Sequence, residues 1–137
     1  MSLWVRALVV CDDVRLELGG TVSLIGVYAD RIAVAPGDGD IVLGRLAIYT
    51  IVAGLTGIHE LAWRTSLIPD GADPGAPLAE SREVHDAGYD EHRIVSMLSP
   101  ITFREGRYRL ALELETKREK RTLEYRFQVE RLLRAPS

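Results

Sequence analysis

An all-β fold follows from three features of the sequence. The expected architecture is an antiparallel β-sandwich, immunoglobulin-like or a related Greek key, of about eight strands. Val14-Arg15-Leu16-Glu17-Leu18 alternates apolar and charged residues and leads through Gly19-Gly20 into the β-rich run Thr21 to Tyr28. Residues 107–115 and 123–130 alternate in the same way on either side of the charged turn Lys117 to Arg121. Nowhere does the chain show the 3.6-residue period of a strong amphipathic helix, whereas turn residues punctuate it throughout.

Taken in order, Leu3 to Val10 is continuous enough in apolar residues to be a central strand. Cys11 closes that run and is expected as a buried structural thiol. Asp12 and Asp13 are expected to turn the chain between two strands, because Asp side chains bond nearby backbone N–H groups. Gly19-Gly20 suits a type I′ turn, in which both central residues have positive φ. Gly26 interrupts the returning strand and marks a bulge or a close backbone approach. Residues 22–28 are apolar on both faces, as a strand covered on both sides or meeting a partner would be.

Ile32-Ala33-Val34 is a short strand, and Pro36-Gly37-Asp38-Gly39-Asp40 is a loop. That loop has some of the composition of a calcium loop but lacks its later acidic ligands, so a turn is expected. Ile41 to Ala53 is a long apolar run with one charge, Arg45, expected as a buried strand bent at Gly44. After the turn 54–57, Leu61, Trp63, Thr65 and Leu67 share one strand face. Residues 69–77 are a loop on composition. Ala79 to Ala87 fits a polar edge strand or a short helical turn. Ile94, Ser96 and Leu98 alternate with Val95, Met97 and Ser99 in a strand before Pro100. From Arg107 onward, Tyr108, Leu110, Leu112 and Leu114 point inward, as do Leu123, Tyr125, Phe127 and Val129 on the last strand. Gly106-x-Tyr108 has the form of a tyrosine corner, in which the Tyr hydroxyl bonds back to the backbone.

Cys11-Asp12-Asp13-Val14-Arg15, Gly19-Gly20, Leu24-Ile25-Gly26-Val27-Tyr28 and the late Gly106-Arg107-Tyr108 carry a resemblance. Together they resemble a family of small bacterial domains of unknown function, with a C-(D/E)-D-x-R opening, an L-x-G-x-Y strand and a late G-x-Y strand. The resemblance implies a small bacterial β-sandwich and supplies no reaction, ligand or catalytic residue.

The 137 residues suit a single domain over 1–137. The net charge of −3 gives no global attraction to nucleic acid or anionic lipid. Residues 104–137 are basic, with 10 Lys/Arg against 6 Asp/Glu, but the alternation puts their aromatics inward and their charges outward. A nucleic-acid platform would expose both on one surface. Cys11 is the single cysteine, so an intramolecular disulfide is excluded and a reducing, cytoplasmic setting is expected. No secretory signal and no membrane span are expected.

No nucleophile elbow, P-loop, zincin or dinucleotide motif occurs. The sequence therefore assigns no catalytic residue and no cofactor. A metal-dependent enzyme would have to use Asp12 and Asp13 with His85 and His92, and their spacing fits no zinc motif. The favoured expectation is a non-enzymatic interaction or structural module whose partner is a protein or a second copy, most simply as a homodimer. Lysine occurs only at 117 and 120, so lysine gatekeeping is missing from the strands, and Ile41 to Ala53 is more apolar than one covered face requires. The competing expectation is that 78–91 folds across that strand and covers it.

Overall fold

The computed structural model describes residues 3–73, 75–87 and 90–133. The strands are β1 (Trp4–Leu16), β2 (Val22–Tyr28), β3 (Arg31–Val34), β4 (Ile41–Leu43), β5 (Leu46–Ala53) and β6 (Glu60–Pro69). They continue as β7 (Ala79–Asp86), β8 (His92–Leu98), β9 (Ile101–Phe103), β10 (Gly106–Glu115) and β11 (Lys120–Arg131). No helix occurs among the described residues. One sheet has the order β2-β1-β5-β8, a second the order β3-β11-β10-β6-β7, and β4 pairs with β9 in a small third sheet.

The two large sheets bury their inner faces against each other. Val10, Leu46, Ile48 and Leu98 of the first sheet meet Leu67, Leu110, Phe127 and Val129 of the second in one apolar cluster. The small sheet contributes Ile41, Ile101 and Phe103 to that cluster. A second cluster joins Val52 and Ile94 to Leu61, Trp63, Leu112 and Leu114. Each large apolar side chain buried in this way contributes about 1.5–3 kcal/mol against the entropy of ordering the chain. The inter-sheet layer includes one polar pair, Thr65 Oγ1 and Ser96 Oγ at 3.2 Å, where a hydroxyl on each sheet satisfies the other.

Several expectations change in the structure. The described residues form eleven strands, where about eight were expected. Ile41 to Ala53 breaks at Gly44-Arg45 into β4 and β5, which lie in different sheets. Residues 79–86 form the edge strand β7, and 101–103 form β9. Asp12 and Asp13 lie within β1 instead of turning the chain. The strand continues through them because Gly26 stands opposite with φ of 66°, and a Cβ there would sit 2.9 Å from the Cβ of Asp12. The expected close approach at Gly26 is therefore real. It replaces a turn with a local distortion of a continuing ribbon. Gly19 and Gly20 both have positive φ, at 86° and 81°. With Leu16 paired to Val22 and Glu17 N–H bonded to Thr21 O at 2.9 Å, the loop is Leu18-Gly19-Gly20, one residue longer than a two-residue turn. Pairing is antiparallel except that β3 runs parallel to β11.

The 36–40 loop is held as a turn by a cation from the chain itself. The Arg131 guanidinium donates to the carbonyl oxygens of Ala35, Asp38, Gly39 and Asp40, at 2.9 Å for Gly39 and 3.4 Å for the others. The loop thus turns its carbonyls toward one positive group supplied by the end of β11.

The tyrosine corner is present. The Tyr108 hydroxyl donates to Arg104 O at 2.7 Å and accepts from Arg104 N–H at 2.9 Å, while its ring packs edge-on to Phe103 at 5.0 Å. Tyr108→Phe keeps the ring and strips both backbone partners. The expected loss is about 1–3 kcal/mol of folding stability, read from the urea midpoint. A midpoint equal to that of the unaltered protein would mean that solvent satisfies Arg104 equally well.

Candidate interaction surface

The two large sheets expose outer faces of opposite character. Residues paired directly across strands share a face, so the register identifies each outer row. In the first sheet Val27, Cys11, Ala47 and Met97 form one row across β2, β1, β5 and β8. Val9, Tyr49 and Val95 form the next. Ala7, Ile51 and Arg93 follow, and Trp4 pairs with Ala53 at the end. In twelve positions the only charge is Arg93. Cys11 and Ala47 in the middle are 0% exposed, while Val27 and Met97 at the row ends are 59% and 41% exposed.

On the second sheet the corresponding rows are Arg82, Arg64, Glu113, Thr122 and Glu80, Ser66, Ala111, Glu124. These side chains pair with one another. Arg64 lies 3.2 Å from Glu80, Lys120 lies 2.6 Å from Glu113, and Arg109 sits between Asp70 at 3.9 Å and Glu124 at 3.8 Å. Exposed pairs of this kind contribute little stability, about 0–1 kcal/mol each, but they keep the face hydrated. The basic C-terminal segment is part of this mixed-charge ladder.

The structure separates the candidate metal residues. Asp13 lies at the rim of the first sheet's outer face, 3.2 Å from Arg45 and 3.8 Å from Arg15. Asp12 points to the other side of the same strand, beside Gly26. His85 on β7 and His92 on β8 do come together, with ring centroids 5.7 Å apart, and the Trp63 ring lies tilted against His85 at 4.3 Å. Among the described residues no group of three or more His, Cys, Asp or Glu side chains is placed to hold a metal ion. His85 Nε2 instead lies 3.1 Å from Glu83 Oε2. His59 is exposed just before β6.

The strand β7, the larger part of the segment expected as an intramolecular cover, pairs with β6 in the opposite sheet from Leu67↔Ala79 to Glu60↔Asp86 and does not lie across β5. Met97 and Val95 were legible as the second apolar face of their strand. What the sequence did not reveal is that they fall in register with Tyr49, Val9 and Cys11 as one surface, because register is a tertiary property.

Two titrations follow from this geometry. Burial pushes the Cys11 thiol above its ordinary value, and the Asp13 and Asp12 carboxylates add to the shift. Native Cys11 is expected to react with a thiol reagent at least about tenfold more slowly than the denatured chain at neutral pH, since the thiolate is the reactive form. Equal rates would contradict its burial. Burial holds His92 below its ordinary value of 6.5, with His85 adding repulsion, and His92 Nε2 is buried without a partner. Below that pH the unfolded chain takes up a proton that the folded chain resists. Stability is therefore expected to fall as pH drops from 6.5 through the folded pKa. His92→Gln should flatten the dependence between about pH 6.5 and pH 5, measured by urea unfolding. An unchanged slope would contradict the assignment.

Compared with known proteins, no family model matches this chain. No curated protein matches it. Among solved structures it is similar to the soluble domain of PmoD from Methylocystis sp. ATCC 49242 (Rockwell), at 12% identity and a TM-score of 0.47, over 90% of this chain and 89% of that chain.

Proposed function

We propose that this chain is a non-enzymatic interaction module that pairs with a second copy of itself through the outer face of the β2-β1-β5-β8 sheet. The observation that carries the reading is the apolar row Val27, Cys11, Ala47 and Met97, set against the ion-paired outer face of the other sheet. A sheet with one face toward water alternates apolar and polar residues along its strands, so that the outer face is polar, as in the second sheet. The first sheet is apolar on both sides of β5, which is the composition of a strand buried on both faces.

Geometry supports a second copy as the occupant. Four strands about 4.8 Å apart and eight residues long at about 3.3 Å each give a face on the order of 500 Å² in projection, which the β1–β2 hairpin tip approaches at Arg93. That is near the lower end of what a specific interface buries per partner. At the rim, Asp13 and Arg45 set opposite charges side by side, so a two-fold axis can place each against its complement on the other copy. A cytoplasmic setting and a bacterial source belong to the same proposal, as does the absence of nucleic-acid and membrane partners. The carboxylate pairing of Arg64, Arg109 and Arg126 supports the nucleic-acid part. Among the described residues no helix is long and apolar enough to cross a membrane.

Light scattering over a concentration series tests the dimer. The apparent mass is expected to rise toward twice the 15.2 kDa chain mass, and Met97→Glu should hold it at 15.2 kDa with an unchanged circular dichroism spectrum. Arg126→Glu, on the opposite face, should dimerise like the unaltered chain. A constant 15.2 kDa for the unaltered protein would overturn the reading.

A further inference from the structure

The β1–β2 hairpin does more than edge its sheet. Its tip reaches β8, where the Arg93 guanidinium donates to the Gly20 carbonyl at 3.3 Å. Between the tip, β8 and β7 lies a cleft of about 390 Å³. Leu16, Val22, Tyr49, Trp63, Ile94 and Val95 line it, so its walls are mainly aliphatic and aromatic. The volume falls within the range of about 300–1,000 Å³ typical of small-molecule sites, and so does the balance of apolar wall to few polar groups.

The polar lining comprises Glu17, Thr21, Glu83, His85 and Arg93. Glu17 sits exposed on the hairpin, and the donors left without a side-chain acceptor among the described residues are Arg93 and the Trp63 Nε1–H. The cleft-lining Arg93 has no carboxylate partner among the described residues, and its one bond is the long one to Gly20. Trp63 is 97% buried by its 3% exposure, and its Nε1–H, a donor only, has no partner. The nearby acid Glu83 is already engaged by His85. A ligand completing this site would bring an acceptor, preferably charged, on an apolar body.

The arm also supplies a means of entry and closure. Leu16 lines the cleft yet is 80% exposed, and Leu18 at the tip is fully exposed. A guest under the arm would bury Leu16 and remove apolar surface from water. Gly19 and Gly20, both in the left-handed region, leave the tip held to β8 by a single side-chain bond.

We infer that the cleft beneath the β1–β2 hairpin binds a small apolar monocarboxylate, with the carboxylate on Arg93 and the apolar body against Trp63 and Tyr49. The cleft lies within one chain, but Tyr49, Val95 and Arg93 also belong to the outer face proposed to pair, so a bound ligand and a second copy would compete for part of one surface.

Trp4 and Trp63 are the two tryptophans, so Trp4→Phe leaves Trp63 as the sole reporter. Phenylacetate titrated into that variant is expected to change Trp63 emission saturably. Phenylacetamide and phenethylamine, which share its body but lack the anion, should bind at least about tenfold more weakly. Adding Arg93→Gln should weaken phenylacetate by a similar factor, and Arg93→Lys should restore part of the loss. Hexanoate, with an aliphatic body, should compete with phenylacetate. Adding Met97→Glu should not weaken the titration, because Met97 is not a cleft residue and its loss removes the competing second copy. No saturable change with either carboxylate at millimolar concentration would overturn the inference. So would equal affinity for phenylacetamide, or indifference to Arg93→Gln in a variant that unfolds at the same urea midpoint as its parent.

Discussion

The two-sided burial of β5 is the constraint on which the rest of this structure depends. Even-numbered residues of β5, Leu46, Ile48 and Val52, face the second sheet and join both apolar clusters. Odd-numbered residues, Ala47, Tyr49 and Ile51, face the other way and meet Cys11, Val9 and Ala7 of β1. A strand of this composition cannot lie at an edge or over water without exposing a large apolar area. It therefore takes the middle of its sheet, with β1 on one side and β8 on the other. The same composition leaves the outer face apolar after the sandwich has closed, which is the physical basis of the interaction reading.

The second sheet shows the opposite solution. Strands β10 and β11 alternate so regularly that one face is mainly core and the other carries a ladder of ion pairs. Their tight pairing positions Gly106 and Tyr108, and the tyrosine corner then ties the 104 backbone to the strand that follows it. Arg131, at the far end of β11, gathers the 36–40 carbonyls. One long hairpin thus organises two loops through side-chain bonds to backbone.

Much of this was legible in the residues. Period-2 alternation over 107–115 and 123–130 identified the second hairpin, and Gly19-Gly20 the first, because both signals are local. The tyrosine corner was readable because a Gly-x-Tyr at a strand start needs only a nearby backbone partner. Asp12-Asp13 was misread as a turn, since the local preference of Asp was overridden by pairing with a strand that has glycine at the matching position. The break at Gly44-Arg45 was read only as a bend, because sheet membership is decided by what β4 finds, namely β9. Of the site, the apolar excess of 22–28 and 41–53 was visible, whereas the shared row was not. The cleft under the hairpin was not legible at all. It joins Gly20 to Arg93, a separation of 73 residues with no sequence signal.

Met97 offers the most direct test of the central claim, that the outer face of the β2-β1-β5-β8 sheet is a contact surface. It is 41% exposed in the single chain and carries an oxidisable thioether. Hydroxyl-radical footprinting, read by mass spectrometry across a range of protein concentrations, follows its accessibility. The account predicts that Met97 oxidation slows as concentration rises, while residues on the ion-paired face of the other sheet keep a constant rate. A Met97 rate that is independent of concentration, or protection confined to the ion-paired face, would contradict it.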